Sequence, residues 1–340
     1  MLVAAVTPEN ALVSLAVGTA GLCAASLAAV VAVQGRLGSS PGWRAVLFWL
    51  PIAAAVIAAR SVGQADIALG IIFGTSIALL STAVGSLCAI APVGPAPARW
   101  KRLWPFTGVA GLLVFVSGFN GLLNWRHGVA LGLEGLMILS LWRDEGSEPD
   151  WGASPPNPSE PMIPTGIVWM AAVVSLALAG FGAWLAVRGS MEMTHRSVHV
   201  SPLAVGASLL SLILVTPMVQ SGRRLAIAGK TWIPMTAQIG MVLLNLCLLL
   251  PIIAFTPYLS SIYQAMDFHH RPVIRWDEFS PALTVFPLVV WRIDAVVLTL
   301  LSILLLPVAF GKWNLGRVEG LLLIGGYCVY LLSVTVAGMG

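Results

Sequence analysis

Residues 64–85 read QADIALGIIFGTSIALLSTAVG, a stretch in which Asp66 is the single charged side chain. A helix crosses the bilayer's hydrocarbon core with about 20 mostly apolar residues, so this stretch predicts a membrane helix. The surrounding chain has the same character. Its 340 residues are 58% hydrophobic and 9% charged, with a mean hydropathy of +0.91, against the roughly 25% charged residues of a soluble domain. The chain therefore reads as an all-α polytopic membrane protein whose partner is the lipid bilayer, with no length left for a separate soluble domain.

Working outward, apolar runs fall at about 12–34, 45–60, 67–91, 104–124, 128–142, 165–187, 201–221, 236–256, 282–308 and 318–338. They predict about ten transmembrane helices. Residues 143–160, RDEGSEPDWGASPPNPSE, hold five acids and four prolines and predict a flexible linker over 143–164. It divides the chain into a first group of five helices, 1–142, and a second, 165–340. The groups share features: Glu134-Gly135 and Glu319-Gly320 in the last helix of each, and Pro51 and Pro217 in the second. Because five is odd, the second group enters the membrane from the opposite side, which makes an inverted-topology repeat.

Loop charge sets the expected orientation. With the N-terminus outside, eleven Lys and Arg fall in cytoplasmic loops and six (Arg60, Arg126, Arg188, Arg196, Arg271, Arg275) outside, with Arg292 inside the ninth helix. The positive-inside rule then places both termini outside and the linker in the cytoplasm, in a multi-pass protein of the cell membrane. Residues 1–11 carry no Lys or Arg, so the first apolar segment is expected to be a retained helix rather than a cleaved leader. Cys23, Cys88, Cys247 and Cys328 each sit in an apolar run without metal or disulfide spacing and read as small buried hydrophobes. The net charge of +4 belongs to loop topology. No basic-aromatic stripe suggests nucleic acid, and no cofactor motif is present.

The opening stretch resembles the first alpha-repeat of the sodium/calcium exchanger, or cation/calcium antiporter, family, whose pattern runs GTSLPEL, then GDIALGNxxGSNIFNxxxxLG. Leu50 and Pro51 match the LP, and Asp66 through Gly70, Gly74 and Gly85 match the second block. The second half matches more faintly through Ser201–Gly206, Pro217, Ile239, Gly240, Asn245 and Thr256-Pro257. The resemblance implies ten helices and alternating access around a cation site, with helix breaks at Pro51, Pro217, Gly74 and Gly240.

The departures from that pattern decide the chemistry. Ile52 and Met218 stand where the resemblance implies ion-binding glutamates. Phe48, Trp49, Leu214 and Val215 replace the preceding hydroxyls. At the Ser and last Asn of GSNIFN, the first repeat has Thr75 and Leu79, the second Met241 and Asn245. Calcium takes six to eight oxygens, usually including carboxylates; the apolar replacements offer none, so the calcium site is absent as written. Thr75, Asn245, Ile52, Met218, Leu79 and Met241 remain the candidate pathway for a small cation, a proton or a neutral solute.

Four acids lie in or beside apolar helices: Asp66, Glu134, Asp294 and Glu319. Asp294 in PLVVWRIDAVV is the candidate for a proton-linked role. Asn120, Asn124, Gln220 and Gln238 extend the polar set, with interhelical hydrogen bonding as the simpler reading. His269, His270, Asp267, Asp277 and Glu278 share one loop, but adjacent histidines diverge and no metal site is assigned. With no GxSxG, phosphate-loop or HExxH pattern, the chain does not read as an enzyme. Two functions follow: cation transport by alternating access with an altered substrate, or a transport-inactive scaffold or regulatory subunit on the exchanger fold.

Overall fold

A computed structural model describes residues 8–34, 41–94, 98–143, 165–196, 201–267, 273–274, 284–285, 288–310 and 312–337. The linker beyond Arg143 and most of the loop holding His269 and His270 lie outside these residues.

Helices dominate because a backbone in lipid must satisfy its polar groups within its own segment. The described residues form ten helical rods: α1 (Pro8–Gln34), α2 (Pro41–Ser61), α3 (Ala65–Ile90), α4 (Ala98–Ser117), α5 (Trp125–Arg143), α6 (Thr165–Arg196), α7 (Pro202–Ile227), α8 (Trp232–Leu244 continuing to Ala265), α9 (Leu288–Leu304) and α10 (Arg317–Ala337). Among the described residues, six are long and apolar enough to cross a membrane: α2, α3, α6, α7, α8 and α10. The apolar span of α3 is 94% buried and that of α8 78%, against 28% for α10. Thus α3 and α8 form the centre, while α10 shows Leu321, Leu322, Val329, Leu332 and Val336 to the lipid.

Glycines set the closest contacts. Helices α1 and α6 run antiparallel: Gly189 lies against Leu15, Gly182 against Gly18 and Leu22, and the Ser175 hydroxyl donates to the Ala25 carbonyl at 2.7 Å. A Cβ on Gly182 would stand 2.8 Å from the Leu22 nitrogen, so only glycine permits this approach. The first helices of the two halves therefore oppose each other in direction, as inverted halves require. Gly70 and Gly74 of α3 meet Leu203 and Ala207 of α7 in parallel, while Gly206 meets Ile67. Gly85 and Gly320 join α3 to α10, and Gly135 joins α5 to Cys247 of α8.

The connections gather at two ends. Val93, after α3, bridges Leu315, before α10; Leu122–Leu123, before α5, pairs antiparallel with Thr284–Val285, before α9. Trp100 and Trp104 at the start of α4 stack with centroids 4.8 Å apart, and Trp232 at the start of α8 meets Trp100 edge-on at 5.2 Å.

The expected helix breaks differ. Pro51 lies inside continuous α2 and Pro217 inside the α-helix Ser211–Ile227, while Gly74 and Gly240 sit within Ala65–Ala78 and Trp232–Leu244. Proline removes one backbone donor, and packed neighbours absorb that loss without unwinding the helix. The irregularity falls instead in three π turns, Leu79–Ala83, Gly206–Leu210 and Asn245–Leu249. Such single wide turns recur at functional sites.

Candidate functional site

Helix α3 starts after a turn at Gly63, where φ is +83°, a conformation glycine adopts without strain. Asp66 in the first turn complements the helix dipole. Three turns later the Thr75 hydroxyl donates to the Ile71 carbonyl at 2.6 Å, and that of Ser76 to the Ile72 carbonyl at 2.7 Å. Each hydroxyl thus spends its proton on its own helix and presents oxygen lone pairs outward. The partner comes from α8. The Asn245 Nδ2 donates to Thr75 Oγ1 at 2.9 Å and to Ser76 Oγ at 3.2 Å.

All three side chains have zero solvent exposure. The contact joins helices 170 residues apart in sequence, one from each half, between the two most buried spans. Asn245 uses both amide protons there, yet its Oδ1 is buried with no hydrogen-bond partner. Gln238, seven residues earlier on α8 and so on nearly the same face, is fully buried with both amide atoms unpartnered. Buried polar groups are rarely left so. On α7, Ser211 donates to the Gly206 carbonyl across the π turn at 2.7 Å, and a Cβ on Gly74 would stand 2.5 Å from its oxygen. A third helix thereby brings a hydroxyl to the same level of α3.

The structure brings Thr75 and Asn245 together. Leu79 and Met241 are fully buried beside them in sequence, Ile52 on α2 is fully buried, and Met218 on α7 is 1% exposed. Helices α2 and α7 both pack against α3 and α8. Phe48, Leu214 and Val215 are also buried, so the positions that the resemblance assigns to ion ligands on α2 and α7 carry hydrocarbon. Among the described residues, no group of three or more His, Cys, Asp or Glu gathers as a metal cage would.

Other polar candidates lie elsewhere. Asn124 accepts from the Tyr258 hydroxyl at 3.2 Å near the end of α8, and Gln220 is exposed. Glu319, exposed at the start of α10, accepts from the Gly316 N–H at 2.9 Å, a capping role. Glu134 does not open its helix as Glu319 does. It lies midway along α5, buried beside Cys247, with both oxygens unpartnered. Asp294 is fully buried on α9, with the Tyr330 hydroxyl of α10 beside it. The side chain of Asn120 lies outside the described residues.

Sequence reading missed Ser76, whose hydroxyl shares the Asn245 amide with Thr75, and Ser211 as a neighbour of Gly74. The available signal was local: two adjacent hydroxyls after a small residue on a strongly apolar helix both fold back on their own carbonyls, and a long amide opposite can bridge them.

The comparisons bear on this geometry. No curated protein matches the chain in sequence. In structure it is similar to the sodium-calcium exchanger NCX_Mj soaked with zero Na+ and Ca2+, at TM-score 0.61 and 16% identity over 96% of this chain and 100% of that one. The same exchanger soaked with 100 mM Na+ and 10 mM Sr2+ matches at TM-score 0.64 and 16% identity, over 96% and 99%. The H+/Ca2+ exchanger CAX matches at TM-score 0.66 and 13% identity, over 97% and 85%. At such identities the likeness establishes the fold, polytopic and all-α. The sequence model of the sodium/calcium exchanger protein family matches residues 167–336, half of the chain, and with the shared fold it makes this chain a member of that family.

Proposed function

We propose that the chain is a membrane antiporter of the exchanger type that moves a cation of lower charge than calcium by alternating access. The observation that carries this reading is the contact of Asn245 with Thr75 and Ser76, which leaves Asn245 Oδ1 free at the meeting of the two halves. A divalent ion demands six to eight oxygens and a neutralising charge. Burying a charge without a partner costs many kcal/mol, and Ile52 and Met218 supply no carboxylate. A singly charged ion or a proton asks far less of neutral oxygens. The matched exchangers, named for Na+, Ca2+ and H+, support cation antiport as the class.

Flux into proteoliposomes across a panel of cations, with and without sodium or proton gradients, tests the reading. Uptake of a monovalent ion without sodium-driven calcium uptake is expected. Robust sodium-driven calcium uptake abolished by Asn245→Ala would refute the loss of the calcium site. A second reading, a transport-inactive scaffold or regulatory subunit, draws on the complete burial of Ile52, Leu79 and Met241 and near-complete burial of Met218. A folded protein that moves no cation in the panel would favour it.

The orientation carried by the loop charges belongs to the same proposal. Cysteines introduced at Ser154 and Gly340 are expected to label from opposite sides of the membrane, the linker from the cytoplasm. Labelling from one side would remove the inverted halves 1–142 and 165–340.

A further inference from the structure

The seam between α9 and α10 holds a second polar cluster, separate from the Asn245 contact. Along α9 the buried residues are Asp294, Ala295, Leu298 and Ser302; along α10 they are Gly320, Leu323, Tyr327, Tyr330 and Val334. Asp294 has zero exposure, and neither carboxylate oxygen has a hydrogen-bond partner. The Tyr330 hydroxyl faces it, with Tyr327 5.8 Å from Tyr330 between ring centroids, and both hydroxyls are buried and unpartnered.

Among the described residues, no cation acts on the acid. Helix α9 packs against α3, α4 and α10. The titratable or charged side chains described on these helices are Asp66 and Cys88 on α3, Lys101 and Arg102 on α4, and Arg317, Glu319, Tyr327, Cys328 and Tyr330 on α10. Of these, Tyr330 is the group that acts on Asp294. Arg292, two residues away, is exposed on the other side of α9. An ionised carboxylate in a dry seam with no partner carries its full desolvation cost, whereas the neutral acid does not.

We propose that Asp294, backed by Tyr330, is a proton-binding site and that its proton is the counter-ion of exchange. In this conformation the carboxyl holds its O–H bond. When the α9–α10 seam opens to water, that bond breaks heterolytically, the proton leaves to solvent and one negative charge stays on Asp294. That charge balances one monovalent cation on the neutral oxygens of Thr75, Ser76 and Asn245. Helix α3, which packs on α9 and carries Thr75 and Ser76, is the mechanical link. The counter-ion role rests on the transport reading above; the proton site does not.

Infrared difference spectroscopy of the purified protein at neutral pH tests the site directly. The C=O stretch of a protonated carboxyl is expected, lost in part in Asp294→Asn, and shifted in Tyr330→Phe. Glu134→Gln identifies the contribution of the other buried acid. An Asp294→Asn spectrum without loss of that band means Asp294 is ionised and overturns the proposal. In proteoliposomes, cation uptake driven by a proton gradient is expected to vanish in Asp294→Asn, and its persistence would overturn the counter-ion role. If the wild-type protein moves no cation while the Asp294 band is present, the transport reading and the counter-ion role fail and the proton site stands.

Discussion

The third helix of each half, α3 and α8, has the same backbone and opposite chemistry. Gly74 and Gly240 each precede a π turn by five residues, the turns opening at Leu79 and Asn245. Yet α3 places two hydroxyls before its π turn, where α8 has Met241 and Val242; α8 places an amide at the opening of its own, where α3 has leucine. Each half supplies what the other lacks, and the two are joined by the Asn245 bonds to Thr75 and Ser76. The lesson is that backbone irregularity does not depend on ion ligands. Local bonds hold it: the Ser81 hydroxyl donates to the Ile77 carbonyl beside one π turn, and Ser211 to Gly206 across another.

The largest expected effect comes from forcing the two halves back to a like chemistry. Ile52→Glu with Met218→Glu is expected to destabilise the ion-free protein by about 3 kcal/mol per carboxylate. Millimolar calcium should restore much of that in thermal unfolding, with either single change responding less. A folded double variant that takes up no cation would show that α2 and α7 do not converge on one point, and the comparison would end at α3 and α8.

A smaller loss is expected from Gly74→Ala. Its Cβ would meet the Ala207 backbone and Ser211, at roughly 1–3 kcal/mol for overpacking against atoms that cannot yield. Gly132→Ala on α5, where a Cβ meets nothing, serves as control and should cost nothing in the same denaturation assay. Equal effects at both positions would mean that the α3–α7 approach is looser than described.

Making α8 match α3 at its π turn is gentler still. Asn245→Leu removes two interhelical hydrogen bonds worth about 1 kcal/mol each in membrane helices, offset by removal of the unpartnered Oδ1. A melting shift of a few degrees with loss of cation uptake is expected; unchanged uptake would move the pathway away from Asn245. Smallest is Thr216→Val on the exposed face of α7, where the hydroxyl bonds its own Leu212 carbonyl. Stability should stay within about 0.5 kcal/mol, and a larger loss would place a protein partner rather than lipid on that face.

Much of this was legible in the residues. Apolar runs announce membrane helices because lipid tolerates little else, and the equal spacing from Gly74 to Leu79 and from Gly240 to Asn245 puts Thr75 in register with Met241 and Leu79 in register with Asn245. The rest depends on contacts that no single stretch encodes. LLSTA and NLCLL give no sign of π turns in their residue pattern. Pro51 and Pro217 resemble breaks in isolation, but buried neighbours keep their helices whole. Asp294 meets Tyr330 only because α9 and α10 fold back on each other. Glu134 shares its glycine neighbour with Glu319, yet the earlier start of α5 carries it half a helix deeper.

On the proposed reading, the lone oxygen of Asn245 makes the protein a reporter of its own cargo. A guest that takes up that oxygen's lone pair in the closed fold and does not bind the unfolded chain must raise the melting temperature as its concentration rises. The gain is about 2.7 kcal/mol at a hundredfold excess over the dissociation constant. A salt series differing in one cation at a time would then rank substrates by heat alone, before any vesicle is made.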